Sequence, residues 1–132
     1  MDFILDANIF FAALIKESTT SDLLAREEFH LFAPEFLLEE FRKYESEILE
    51  KTSRDSQDFQ RYFETLTRKI TFIPLEELVS YVDKAKELSP DPKDYLYFAM
   101  ALKSHAKIWS NDKSLRNQDQ IPVLSTAEII NT

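Results

Sequence analysis

A chain of 132 residues, 44% apolar and 30% charged, can bury about two thirds of its unfolded surface in one core and is too apolar to remain disordered. It has neither cysteine nor glycine, which excludes disulfides, thiol nucleophiles, thiolate metal sites and the usual glycine-dependent phosphate loops, dinucleotide fingerprints and nucleophile elbows. A formal charge of −8 argues against coating by nucleic acid through bulk attraction, yet leaves open a site where concentrated acids are metal ligands.

No apolar run nears the roughly 20 residues of a membrane span, and MDFILDAN lacks the basic flank of a signal peptide. A single cytoplasmic domain over residues 1–132, with no membrane partner, is the expectation.

In chain order, Phe3-Ile4-Leu5 reads as a strand buried on both faces, followed by a helix from Ile9 to Leu14 that Asn8 is placed to cap. Ser18 to Glu27 reads as a second helical segment and Leu31-Phe32-Ala33 as a strand. Pro34 fits the first position of a helix running to Lys51, with Leu37, Phe41, Tyr44 and Ile48 along one stripe. Arg54 to Arg68 is a further amphipathic helix, and Ile70 to Ile73 a strand closed by Pro74. Leu75 to Leu88 is helical by apolar spacing. Ser89-Pro90-Asp91-Pro92 breaks the chain before an apolar helix from Pro92 to His105. Lys107 to Ser110 and Pro122 to Leu124 complete the strands, and Ser125 caps a terminal helix. Strands alternating with helices predict an α/β fold with a mainly parallel sheet.

Two of these strands, FILDAN and IWSND, end on an aspartate. In open parallel sheets ligands bind at the carboxyl ends of the strands, so Asp6 and Asp112 are expected at one edge. Each is also suited to cap the helix that follows. In DPKDYLYFAMAL, Asp91 suits an N-cap, Pro92 the first helical position and Asp94 the third. Residues 94, 98, 101 and 105 share a stripe that Phe98 and Ala101 mark as inward facing, and a carboxylate at its open end needs a partner. Glu39 stands four residues before Lys43, a solvent-side pairing, whereas Glu40 flanks the apolar stripe, so Glu40 is assigned to the site. Four gathered carboxylates repel one another unless cations neutralise them, and hard oxygen ligands suit Mg2+ or Mn2+. His30 and His105 lack metal-ligand spacing and read as structural; Trp109 and the eleven Phe residues read as core.

These four segments together resemble those of a PIN-domain ribonuclease of the compact, VapC-like kind. FILDAN is similar to the first family motif, with Asp6 the metal-binding acid and Asn8 a supporting residue. PEFLLEEF is similar to the second, with Glu40. DPKDYLYFAMAL is similar to the third, with Asp94 and its neighbour Asp91, and IWSND to the fourth, with Asp112 supported by Ser110 and Asn111. The resemblance implies a three-layer α/β/α fold around about five strands, Mg2+ or Mn2+, cleavage of single-stranded RNA to 5′-phosphate and 3′-hydroxyl ends, an antitoxin partner and a homodimer. Where many relatives carry a further carboxylate after the fourth motif, this chain has Lys113, Ser114 and Leu115.

The mechanism so implied is metal-assisted phosphodiester hydrolysis, with Asp6, Glu40, Asp94 and Asp112 holding the ion and Asn8, Ser110, Asn111 and Asp91 orienting them. Lys113 and Arg116 would steady the RNA backbone, if they are more than surface charge. Two rivals differ in class. A dehalogenase-type phosphatase would need an acid where Asn8 stands. A non-catalytic PIN-like module for binding or assembly in RNA processing would have no use for a self-repelling acid cluster.

Overall fold

The computed structural model describes residues 1–131. Five strands, β1 (Asp2–Leu5), β2 (His30–Pro34), β3 (Ile70–Ile73), β4 (Lys107–Trp109) and β5 (Val123–Leu124), form one sheet in the order β3-β2-β1-β4-β5. Every pairing is parallel, in line with the mainly parallel sheet expected. Each strand alternates its side chains between two covered faces. Phe3, Leu5, Leu31, Ala33, Ile70 and Trp109 belong to one buried cluster, while Ile4, Ile108 and Val123 belong to the other.

The first face is covered by α1 (Ala7–Ile15), α2 (Thr19–Leu24), α3 (Phe36–Lys51), α4 (Ser56–Lys69) and α7 (Thr126–Ile130). The second is covered by α5 (Val82–Leu88) and α6 (Tyr95–Ser104). The result is three layers, α/β/α. Rings interlock edge to face on the first side, with Phe3 5.2 Å from Phe29 and 5.6 Å from Trp109. The central α6 is buried at Tyr97, Phe98, Ala99, Met100 and Ala101; burying a side chain such as Phe98 contributes on the order of 1.5–3 kcal/mol.

Several local expectations are corrected. Asn8 is not the cap of α1: Asp6 is, its Oδ1 accepting from the Ile9 N–H at 2.9 Å, so the helix starts earlier, at Ala7. Pro34 does not open α3. It lies opposite Ile73 in the β2–β3 ladder, and the Glu35 N–H continues that pairing to the Ile73 carbonyl, which delays the helix to Phe36. Tyr44 stands 40% exposed, so the buried stripe of α3 is Leu37, Phe41 and Ile48. Leu75 to Leu88 is not one helix but two 3-10 turns, Leu75–Glu77 and Val79–Tyr81, before α5; only Leu78, Ala85 and Leu88 of this stretch are buried, too few to hold a continuous apolar face. The Pro92 segment similarly opens as a 3-10 turn, Pro92–Asp94, ahead of α6.

A chain without glycine must end helices by other means. His105 closes α6 in the left-handed region, at φ 53° and ψ 37°, where a side chain crowds the following carbonyl. His105→Gly relieves that crowding but adds freedom to the unfolded chain, and the balance is expected to stabilise the protein by about 0.5–1 kcal/mol. His105→Val shifts stability the other way. Urea midpoints at unchanged slope check both.

Candidate active site

The sheet order places its turning point between β1 and β4: from β1 the chain builds outward through β2 and β3, then returns to the other side of β1. Parallel sheets bind ligands in the crevice beyond the carboxyl ends of two strands whose following connections diverge, and that edge is where the fold delivers Asp6 and Asp112. Leu5 lies opposite Trp109 in the ladder, and the Asp6 N–H continues the pairing to the Trp109 carbonyl at 3.4 Å. Asp6 and Ser110 are therefore the first residues past each strand, side by side.

Asp6 is only 5% exposed. Its Oδ1 accepts from the Ile9 N–H, and its Oδ2 accepts a short hydrogen bond from the Ser110 hydroxyl. Ser110, fully buried, also accepts from the Asp112 N–H at 3.0 Å. One hydroxyl thus ties the carboxylate after β1 to the backbone of the carboxylate after β4. Burial pushes the Asp6 carboxyl above its ordinary range; the Ser110 and Ile9 hydrogen bonds oppose that, and the Asp112 charge adds to it. Asp112 is exposed and caps a 3-10 turn, Lys113–Arg116, its Oδ1 accepting from the Ser114 N–H at 2.9 Å and the Ser114 hydroxyl at 2.8 Å.

Asp94, partly buried at the junction of the 3-10 turn and α6, is also pushed upward, first by burial and then by the charges of Asp91, Asp112 and Asp6. Three of the acids named from the sequence therefore act on one another. Tyr97, on α6, has its hydroxyl held well above its usual range, first by burial and then by the charges of Asp6, Asp94 and, least, Glu40. Glu40 is half-buried, while Glu39 is exposed and lines a separate hollow with Phe36, Leu75 and Leu96.

The supporting residues divide. Ser110 bridges two acids. Asp91 caps the turn that carries Asp94, accepting from the Lys93 N–H at 2.9 Å. Asn111 faces away from the acids: its amide oxygen accepts from the Thr126 N–H at 2.8 Å and its nitrogen donates to the Thr126 hydroxyl, fastening α7. Asn8 is exposed, and its backbone N–H, not its side chain, acts on Asp6. Arg116 is occupied by an ion pair with Glu128, while Lys113 stands exposed. Sequence reasoning missed Tyr97, which adds nothing to the apolar stripe of α6 that its neighbours do not and looks there like one more core aromatic.

Among the described residues, no three His, Cys, Asp or Glu side chains gather closely enough to hold a metal ion by themselves. The donor chemistry nonetheless fits a hard cation. Mg2+ keeps several of its waters and needs only one or two carboxylates from protein, and this crevice offers oxygen donors that raise one another's proton affinity.

Those raised affinities set a pH dependence. Folded Asp94 binds its proton more tightly than the unfolded chain does, so its contribution to stability is fully present below the ordinary 3.8 and is lost as pH rises through the raised folded value. Asp94→Asn carries no charge at any pH. In chelator it is expected to be more stable than the parent at neutral pH, by under about 1 kcal/mol because the group is only partly withdrawn from water, and to lose that advantage below about pH 4. Guanidinium titrations at the two pH values measure the difference.

A family model of the PIN domain matches residues 4–126. No curated protein matches the chain. Among solved structures, the chain is similar to one in the crystal structure of VapBC2 from Rickettsia felis bound to a DNA fragment from their promoter. The TM-score is 0.66 at 16% identity, covering 95% of this chain and 98% of that one, a likeness of fold. Because the family model spans nearly the whole chain and takes in every acid of the crevice, this protein belongs to the PIN-domain family.

Proposed function

We propose that the protein is a metal-dependent endoribonuclease that hydrolyses phosphodiester bonds of single-stranded RNA. The observation that carries the reading is the mutual action of Asp6, Asp94 and Asp112 at the carboxyl edge of β1 and β4, inside a chain of the PIN-domain family. Gathered acids repel one another without a counterion, and that repulsion, beyond the capping that Asp6 and Asp112 perform, is what a cation at this edge would relieve.

Asp6, Glu40, Asp94 and Asp112 would hold Mg2+ or Mn2+, directly or through its waters. When bound, the ion would polarise a phosphoryl oxygen and lower the proton affinity of water at the scissile bond. Asp6 is fixed by Ser110 and the first turn of α1, so it presents its carboxylate in one orientation. Asp112, anchored through Oδ1 to Ser114, leaves its other oxygen free for the site. Lys113 stands beside Asp112 on the exposed turn, where an ammonium meets an RNA phosphate without competing partners; Arg116 reaches RNA only by leaving Glu128.

The likeness to VapBC2 supports a toxin role within a toxin–antitoxin pair, with an antitoxin as protein partner; a homodimer as the working form rests on the family resemblance alone. No helix among the described residues is long and apolar enough to cross a membrane, which is compatible with the cytoplasmic setting such a role requires.

Purified protein is expected to cleave single-stranded RNA in Mn2+ and to stop in chelator. Asp94→Asn and Asp112→Asn should each lower the rate by roughly 100-fold or more, as removal of a metal-holding group does. Gel analysis of end-labelled RNA, with circular dichroism to show that the variants fold, measures this. Chelator-insensitive cleavage, or full activity in both variants, removes the mechanism. A folded protein that cleaves no RNA favours the non-catalytic binding or assembly module.

A further inference from the structure

The segment that carries Asp112 is held at two places, and only one of them touches Asp6. There, the Ser110 hydroxyl donates to Asp6 and accepts from the Asp112 N–H at 3.0 Å. The second hold comes from α7. The Thr126 hydroxyl accepts from the Trp109 indole N–H at 3.0 Å and from the Asn111 side-chain amide at 3.3 Å. Its own N–H donates back to the Asn111 Oδ1 at 2.8 Å. On the same helix, Glu128 pairs with Arg116 at the end of the turn that follows Asp112.

Thr126 therefore grips the residues on either side of Ser110, and Glu128 grips the far end of the same loop. The Ser110 N–H still bonds the Leu124 carbonyl at 3.0 Å, but from there the strand ladder gives out and side-chain bonds set the path of the next two residues. The grip has firm footing. Trp109 is fully buried and packs edge to face on Phe3 and Phe29, and Ile129 anchors α7 at zero exposure. A reciprocal cap between Ser125 and Glu128 starts the helix at Thr126. A threonine hydroxyl offers two acceptor positions, and Trp109 and Asn111 each direct an N–H at that one oxygen.

We infer that Thr126 is a positioning residue of the crevice: by holding Trp109 and Asn111 it sets where Ser110 and Asp112 stand against Asp6. This rests on the reading of Asp112 as part of an RNA-cleaving site, while the placement stands on hydrogen bonds alone. It makes α7 a brace for the acid-bearing loop. Asn111, which faces away from the acids, serves them through that brace.

Thr126→Val keeps the shape and the N–H of the residue and removes the oxygen that Trp109 and Asn111 share, whereas Thr126→Ser keeps that oxygen. Hydrogen exchange followed by NMR in chelator reads the placement without any activity. In Thr126→Val the Asp112 N–H and the Trp109 indole N–H, the one indole of the chain, are expected to exchange about tenfold faster relative to the amides of β1. In Thr126→Ser they should exchange as in the parent. A role confined to docking α7 predicts faster exchange at the indole and at the Ile129 N–H with Asp112 unchanged, and that pattern overturns the inference. In the cleavage assay, kcat on single-stranded RNA should fall about tenfold in Thr126→Val, with KM within about threefold, and recover in Thr126→Ser. An unchanged kcat in Thr126→Val also defeats the inference. A parent protein that cleaves no RNA removes the nuclease reading and leaves the exchange result to decide this one. Should Thr126→Val not fold, exchange of the parent in low urea replaces it: the Asp112, Ile129 and Trp109 protons must open together, and independent opening of Asp112 counts against the brace.

Discussion

The bond on which the arrangement turns is the hydrogen bond from the Ser110 hydroxyl to Asp6. Parallel pairing of β1 with β4 brings Leu5 opposite Trp109, and from that register the next residue of each strand must emerge at the same height. A serine there, buried between the two chain segments, accepts the Asp112 N–H and donates to Asp6. Two carboxylates from opposite ends of the sequence are thereby referred to one oxygen atom. Parallel sheets suit this arrangement, since every strand ends at the same edge and long crossovers are already required to build them.

Capping and site-forming are not rival uses of these acids. Asp6, Asp91 and Asp112 each cap the helix or turn that follows and still belong to the charged crevice. A carboxylate has two oxygens, and those of Asp6 serve different ends. One holds the first turn of α1 and the other meets Ser110. In a chain without glycine, where His105 must take a left-handed conformation unaided, tight side-chain caps do much to end and start elements. The same stiffness fixes where the acids point.

This dual use explains what the sequence could and could not disclose. The strands were legible because apolar runs such as Phe3-Ile4-Leu5 sit between turn signals, and both faces proved covered. Parallel pairing followed from alternation of strands with helices. Asp6 against Asn8 was misread at the cap because both residue types suit it and only the strand's end decides; β1 stops at Leu5, so the cap falls to Asp6. The stretch from Leu75 to Leu88 has helical spacing, yet Leu75 is 54% and Val79 65% exposed, so nothing tertiary rewards a continuous helix. Asn111 looked like a partner of the acids because it stands between Ser110 and Asp112. Alternation at the end of a strand sends neighbours to opposite sides, and it fastens α7 instead.

Tyr97 was invisible for a different reason. Periodicity sorts residues into buried and exposed, and a buried tyrosine scores as core whatever its hydroxyl does. The polar end becomes informative only when three separate elements are seen around it: Ala7 of α1, Phe36 of α3 and the Asp94 turn before α6. Its ring does belong to the apolar layer, packed with the side of the sheet that holds Ile4 and Ile108. Its oxygen belongs to the charged one. Through the one bond it accepts from the Ala7 N–H, the apolar layer under α6 is joined to the first turn of α1, whose cap is Asp6, so a core side chain and a charged one are tied to the same turn.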